Sequence, residues 1–211
     1  MYTKLKAVKV QEIIMSGSTQ VVGTIRYKDL AEGIPLDNSR LGTAKPLFHN
    51  ISQYPTINEV VYIVAGPKDT FNSDGGIRHY YLSPLNIYGS ANNNAQPSEL
   101  TLDEDGQNSS TGASPFFYED ATIKPIQPYG GDITIEGRYG NSIRFGSTTP
   151  SESISNNWSN EGDIGNPITI IRNGQPNSEN VNNISYNYIL EDINEDDSSI
   201  YLCSDQQITN F

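Results

Sequence analysis

One stretch constrains the fold more than any other: residues 132–147 (DITIEGRYGNSIRFGS), in which apolar and polar residues alternate. Ile133 and Ile135 lie on one parity, Thr134 and Glu136 lie on the other, and the alternation resumes after a Gly-Asn pair. A period of two residues is that of a β-strand with one buried face. The stretch therefore predicts a β-hairpin whose apolar parity faces the core.

The parity of the two strands also predicts the register of this hairpin. A three-residue loop pairs Tyr139 with Ile143 and keeps like residues on one face. The same register places Arg138 opposite Arg144 on the outer face, where two guanidinium groups repel unless a carboxylate lies between them. Either Glu136 or an acid of a partner chain supplies that carboxylate. The second alternative predicts that these arginines lie at a subunit contact.

Other segments also have strand-like patterns, and no window shows the period of an amphipathic helix. The predicted strands are residues 5–14, 21–28, 59–65, 79–88, 167–172, 186–190 and 199–203. In the first of these the alternation slips between Ala7 and Val8, which predicts a β-bulge. Residues 31–55 hold three prolines and keep no period, so we expect an extended connection there. The predicted fold class is all-β.

The charge and the single cysteine exclude several classes of function. A net charge of -12 argues against binding to nucleic acid or to an anionic membrane surface. Cys203 is alone, so no intrachain disulfide and no cysteine-based zinc site is expected. The acidic turn at 191–197 lacks the glycine of a calcium loop, and we expect neither a metal nor a cofactor. With no long apolar run and no signal peptide, we expect a soluble protein without membrane insertion.

No set of residues in the sequence defines a catalytic site. The chain has no G-x-S-x-G motif and no helix to follow one. A cell-wall glycosidase needs two carboxylates, for which Glu136 with Glu119 or Asp120 qualify, as acids do in any acidic β protein. We therefore expect no enzymatic activity and keep the glycosidase as a third alternative.

Four aromatic residues in the polar part of the chain allow two interpretations. Phe116, Phe117 and Tyr118 form a cluster, and Trp158 is the only tryptophan. Such rings either stack on sugars or on a partner protein, or they anchor loops in the core. The first interpretation gives the alternative function of a carbohydrate-binding adhesin module, and the exposure of the rings decides between the two.

Several stretches in succession carry a resemblance to a known family. In chain order they are VVGTIRYKDL, AKPLFHNISQYPTINEVVYIVAGP, HYYLSPLNIYG, GGDITIEGRYGNSIRFGS, PITIIRNGQ and EDINEDDSSIYLCSDQQI. In this succession the chain is similar to the baseplate hub or central-spike proteins of contractile-tailed bacteriophages, in the form that begins with an oligonucleotide/oligosaccharide-binding (OB) barrel. No segment resembles the lysozyme domain that some members carry.

The resemblance implies an OB-like Greek-key barrel with long loop insertions over residues 1–147, with the hairpin as its fifth strand. A short β extension leading towards a spike follows over residues 148–211. The implied protein is a homotrimer that contacts tail hub and spike proteins in the virion baseplate, after assembly in the host cytoplasm. Its implied role is to link the hub to the membrane-puncturing tip without chemistry. The predicted subunit contact comprises Glu136, Arg138, Arg144, Phe116, Phe117, Tyr118 and Trp158.

Overall fold

A computed structural model of the 211-residue chain shows two compact units, Met1–Tyr118 (unit 1) and Glu119–Phe211 (unit 2). It describes residues 4–18, 21–30, 41–48, 50–68, 76–85, 95–96, 118–119, 123–148, 158, 165–175 and 188–208. Within these ranges the regular structure consists of strands and includes no helix. The all-β prediction is confirmed.

Unit 1 contains a closed five-stranded barrel. Its strands are β1 (Lys6–Ile14), β2 (Thr24–Asp29), β3 (Gly42–Pro46), β4 (Val60–Pro67) and β5 (Ile77–Pro84). They are hydrogen-bonded in the order β1-β2-β3-β5-β4, and β4 closes the barrel onto β1. The β3–β5 pair is parallel, whereas the other pairs are antiparallel. This is the five-stranded arrangement of an OB-like barrel, the fold that the resemblance implies.

The barrel interior is filled by one parity of each strand. Its buried cluster consists of Val8, Val10, Ile25, Tyr27, Ala44, Val61, Ile63 and Tyr81. The buried tyrosines keep polar partners, since the Tyr27 hydroxyl lies 2.9 Å from Nδ1 of His79 and the Tyr81 hydroxyl donates to the Gly23 carbonyl at 2.7 Å. Burial raises the pKa of Tyr81 well above its usual value.

The third strand of the barrel corrects the sequence analysis. β3 lies inside residues 31–55, which were expected to form only an extended connection. It has five residues, ends at Pro46 and fully buries only Ala44, so its alternation is too short to recognise. Because β3 completes the barrel, the 132–147 hairpin is not the fifth strand and belongs to unit 2. The boundary between the units falls after Tyr118, not after residue 147.

The β-bulge in β1 also differs from its predicted place. The register with β2 shifts between Val10 and Glu12, whereas Ala7 and Val8 pair regularly with β4. The slip seen in the sequence arises because Leu5 precedes the strand and is exposed, so it never belonged to the buried parity.

Unit 2 contains a four-stranded antiparallel sheet. Its strands are β8 (Ile133–Glu136), β9 (Ser142–Ser147), β10 (Pro167–Asn173) and β11 (Ser198–Cys203), in the order β11-β10-β9-β8. A separate two-stranded sheet joins β6 (Ala95–Gln96) to β7 (Tyr118–Glu119). The predicted strand at 186–190 is reduced, within residues 188–190, to one bridge between Ile189 and Ile126.

The hairpin β8–β9 forms with a different register from the predicted one. Ile135 pairs with Ile143, and five residues, 137–141, connect the strands. The backbone N–H of Gly137 donates to the carbonyl of Asn141 at 2.8 Å and closes this loop. A Cβ atom on Gly137 would collide with Oδ1 of Asn141, and Gly140 adopts a φ of 83°, which glycine accepts without strain. Arg138 consequently lies in the loop.

Candidate functional site

In β8 and β9 the polar parity faces the interior and the apolar parity is exposed, whereas β10 buries Ile168 and Ile170 together with Arg172. Arg144 and Arg172 are fully buried, whereas Ile133 and Ile135 are 62% and 58% exposed. Arg144 lies opposite Thr134 and points inward. The predicted pair of outward arginines is therefore wrong, and Arg144 is not at a subunit contact on the outer face.

Arg144 is the centre of a buried network of charged hydrogen bonds. Its Nε donates to Oε1 of Glu191 at 2.6 Å and its Nη2 to Oε2 at 3.1 Å, which makes the pair bidentate. Nη1 donates to Oδ2 of Asp132 at 2.5 Å, and Nη2 also donates to the carbonyl of Gln127 at 2.8 Å. Burial alone would lower the pKa of Arg144, but the bonds and charges of Glu191 and Asp132 outweigh it and raise the pKa. The network joins β9 to segments on both sides of it in sequence.

Two aromatic rings complete the surroundings of Arg144. Its guanidinium carbon lies 5.5 Å from the ring centroid of Tyr129 and 5.3 Å from that of Trp158, within cation–π range. The two rings meet edge to face, with centroids 5.9 Å apart. Burial is the main cause that raises the pKa of Tyr129 to about 12.

Trp158 is fully buried, which decides between the two interpretations of this residue. It anchors a core cluster with Tyr129, Ile168 and Ile170 and is not available to stack on a sugar ring. Of the other predicted aromatic contacts, Phe116 and Phe117 lie outside the described residues. For Tyr118 only the backbone is described, in β7.

A second buried ion pair lies between β10 and the acidic turn. Nη1 of Arg172 is 3.6 Å from Oδ1 of Asp196, and both side chains are buried. Nε and Nη1 of Arg172 and Oδ1 of Asp196 have no hydrogen-bond partner among the residues that the structure describes. Burial raises the pKa of Asp196 to about 6, although Arg172 opposes the shift. The free-energy cost of burying these two charges is therefore offset less completely than in the Arg144 network.

Glu136 faces the interior, not the outer surface on which it was predicted to separate two arginines. Its Oε2 accepts a hydrogen bond from the backbone N–H of Ile126 at 3.0 Å. Burial raises the pKa of Glu136, while the Ile126 bond and the charges of Arg172 and Arg144 oppose the shift. The carboxylate thus fastens β8 to the segment that carries the Ile126–Ile189 bridge.

The opposite side of the sheet, which we call the apolar face, has two cross-strand rows of side chains. One row is Ile133, Phe145, Thr169 and Leu202, and the other is Ile135, Ile143, Ile171 and Ile200. None of these eight side chains is ionisable. The sequence analysis identified the parity of β8 and β9 correctly but assigned it to the wrong side of the sheet, and it missed the apolar face for that reason.

The barrel of unit 1 has a cleft of about 310 Å³. It is lined by Val21, Thr24, Thr43, Ala44, Lys45 and Arg78. Lys45 and Arg78 place two cations beside it, on a chain whose net charge is -12. Over the described ranges, no group of three or more His, Cys, Asp or Glu side chains is arranged to hold a metal ion. No helix in the same ranges is long and apolar enough to cross a membrane.

Fold and site together define an all-β protein in which an OB-like barrel is followed by a β unit with an uncovered apolar face. Comparisons of the chain with protein-family models, with curated proteins and with solved structures gave no match.

Proposed function

We propose that this chain is a non-enzymatic structural subunit of a phage tail baseplate, a central hub or spike protein that links the tail hub to the membrane-puncturing tip. The succession of sequence stretches that resemble this family supports the proposal. The strand order β1-β2-β3-β5-β4 agrees with the OB-like barrel that the resemblance implies. A barrel alone does not define a function, so the support from the fold is an analogy.

The observation that carries the proposal is the apolar face of unit 2. The sheet leaves six large apolar side chains exposed on one side. An exposed apolar patch of this kind is typical of a module that is completed by assembly. The proposed assembly is a homotrimer that contacts the tail hub and the spike. We do not include nucleic acid among the partners, because a net charge of -12 opposes contact with phosphates.

The proposed mechanism is the transmission of load. A closed barrel leaves no free strand edge along its circumference, so force applied to one strand is shared by hydrogen bonds on both sides. In unit 2 the bidentate Arg144–Glu191 pair and the Arg144–Asp132 pair tie β9 to two other segments. Breaking such a buried pair by removing one partner costs about 3–5 kcal/mol, so the network holds the sheet together.

Localisation of the chain in virus particles tests this proposal. Particles of the virus that encodes the chain would be purified, and a tagged copy of the chain would be located by cryo-electron microscopy. We expect density for the tag at the tail tip on the tail axis, with three copies per particle. Absence of the chain from purified tails, or a position on the capsid, would contradict the proposal.

A further inference from the structure

We propose that the apolar face of unit 2 binds a second copy of this chain. The inference deepens the proposed function and rests on it for the setting of the assembly, since it names the surface through which copies meet. The interface itself is argued from the sheet alone.

The exposure of the apolar face is large for a protein surface. Six of its side chains are between 38% and 62% exposed: Ile133, Ile135, Phe145, Ile171, Ile200 and Leu202. They lie on four neighbouring strands and side by side in two rows, and a contiguous exposed apolar patch of this kind marks an interaction surface.

The distribution of apolar residues over the sheet points the same way. Its interior already holds Ile168 and Ile170 beside the two arginines, and yet large apolar side chains also occupy the outer parity of all four strands. In an isolated chain their exposure to water is unfavourable. A partner that covers the apolar face removes this disadvantage and leaves a sheet covered on both sides.

Charge and shape favour a second copy over a different partner. Two chains of charge -12 repel each other at long range, and the least repulsive contact between them is through a surface without ionisable side chains, such as the apolar face. A basic partner protein would be attracted to this face only if the face carried acidic residues. In the proposed homotrimer the same sheet of each copy would face the common three-fold axis, so that each apolar face packs against the sheets of the neighbouring copies.

The association state of the purified full-length chain tests the inference. Sedimentation and light scattering over a concentration range are expected to show reversible self-association. In the double variant Ile135→Asp with Ile200→Asp, buried carboxylates would oppose each other across the interface, and we expect association at least about a hundredfold weaker. The matched control is Ile77→Asp, which replaces an isoleucine of β5 that is 69% exposed and outside the apolar face. Its association should equal that of the unchanged chain.

A second pair of variants covers the case in which the aspartates prevent folding. Ile135→Thr with Ile200→Thr keeps the branched shape and the β-propensity of both strands and should fold, as circular dichroism will show. It should also weaken association, by about tenfold or more. An unchanged chain that is monomeric at about 100 µM, or variants that associate as tightly as the unchanged chain, would overturn the inference.

The outcomes separate this inference from the proposed function. Self-association through the apolar face by a chain that is absent from virus tails would contradict the function and leave the interface standing. A chain found at the tail tip whose copies associate equally well after both double substitutions would contradict the interface and leave the function standing. A monomeric chain that binds only a different protein through this face would overturn the choice of a second copy.

Discussion

The contacts of Arg144 offset the free-energy cost of burying its charge. Its guanidinium group donates to two carboxylates and one carbonyl and lies against the rings of Tyr129 and Trp158. Each of these contacts replaces interaction with water that burial removes. The charge is therefore compensated locally, and its partners depend on it in turn.

Removal of Arg144 tests this dependence. We expect Arg144→Ala to lower the free energy of unfolding by about 3–5 kcal/mol, because Glu191 and Asp132 would remain as buried, uncompensated carboxylates. The matched control is Arg26→Ala, which breaks a pair with Glu12 in which both side chains are about half exposed, and which should cost less than about 1 kcal/mol. Chemical denaturation measures both. Equal losses in the two variants would show that the network does not stabilise the fold.

Titration of Asp196 is expected to make the free energy of unfolding fall as the pH rises. Burial raises its pKa from 3.8 to about 6, so the folded chain holds this proton more tightly than the unfolded chain does. The contribution of Asp196 to the free energy of unfolding is therefore fully present below about pH 4 and is lost as the pH rises to about 6. A pKa shift from 3.8 to about 6 corresponds to a loss of about 3 kcal/mol.

Denaturation of Asp196→Asn across this pH range measures the effect. The amide does not titrate, so the component that falls between about pH 4 and pH 6 should vanish from the pH profile. The control, Asp205→Asn, replaces an exposed carboxylate and should keep the profile of the unchanged chain. An Asp196→Asn profile identical to that of the unchanged chain would refute the assignment.

At the scale of the element, β3 is positioned by close contact with β2. Gly42 pairs with Tyr27, and a Cβ atom there would collide with the Tyr27 ring. The ring can therefore lie this close to the strand only because residue 42 has no side chain. The hydrogen bond between the Tyr27 hydroxyl and Nδ1 of His79 then links β2 to β5.

Substitution of this glycine is expected to disturb the barrel. Gly42→Ala should lower the free energy of unfolding by about 1–3 kcal/mol, because the ring or the strand must move. Gly130→Ala is the matched control, since no heavy atom lies within 4 Å of the position of its added Cβ. Thermal unfolding followed by circular dichroism compares the two. A loss in Gly130→Ala as large as that in Gly42→Ala would contradict the proposed contact.

At the scale of the whole molecule, net charge and the apolar face act against each other. The charge of -12 repels copies at long range, whereas the apolar face attracts them only at contact. Salt screens the first effect over about 10 Å at 0.1 M and leaves the second almost unchanged.

Self-association of the chain should therefore become tighter as salt is added. Sedimentation at about 0.05 M and 0.5 M sodium chloride compares the two conditions. Ile77→Asp should follow the unchanged chain in both. Weaker association at high salt would mean that opposite charges, and not the apolar face, hold the copies together.

Local pattern determined a large part of this structure. The alternation in 132–147 predicted β8 and β9, and the patterns at 167–172 and 199–203 predicted β10 and β11. A period of two is a property of the chain itself, so strands and the all-β class follow from the sequence. The barrel followed from the resemblance, although β3 was missed because one buried alanine makes no pattern.

The side of the sheet that became its interior was decided only by the tertiary structure. An alternating pattern indicates that the two faces of a strand differ in polarity, but it does not indicate which face is buried. Glu191, Asp196 and Trp158 come from segments distant in sequence and contact the buried parity of β9 and β10, which holds Arg144 and Arg172 together with Ile168 and Ile170. Because ionic partners supplied from elsewhere compensate the arginines, the parity that carries them became the buried one, and the parity of Ile133, Ile135 and Ile171 was left on the surface.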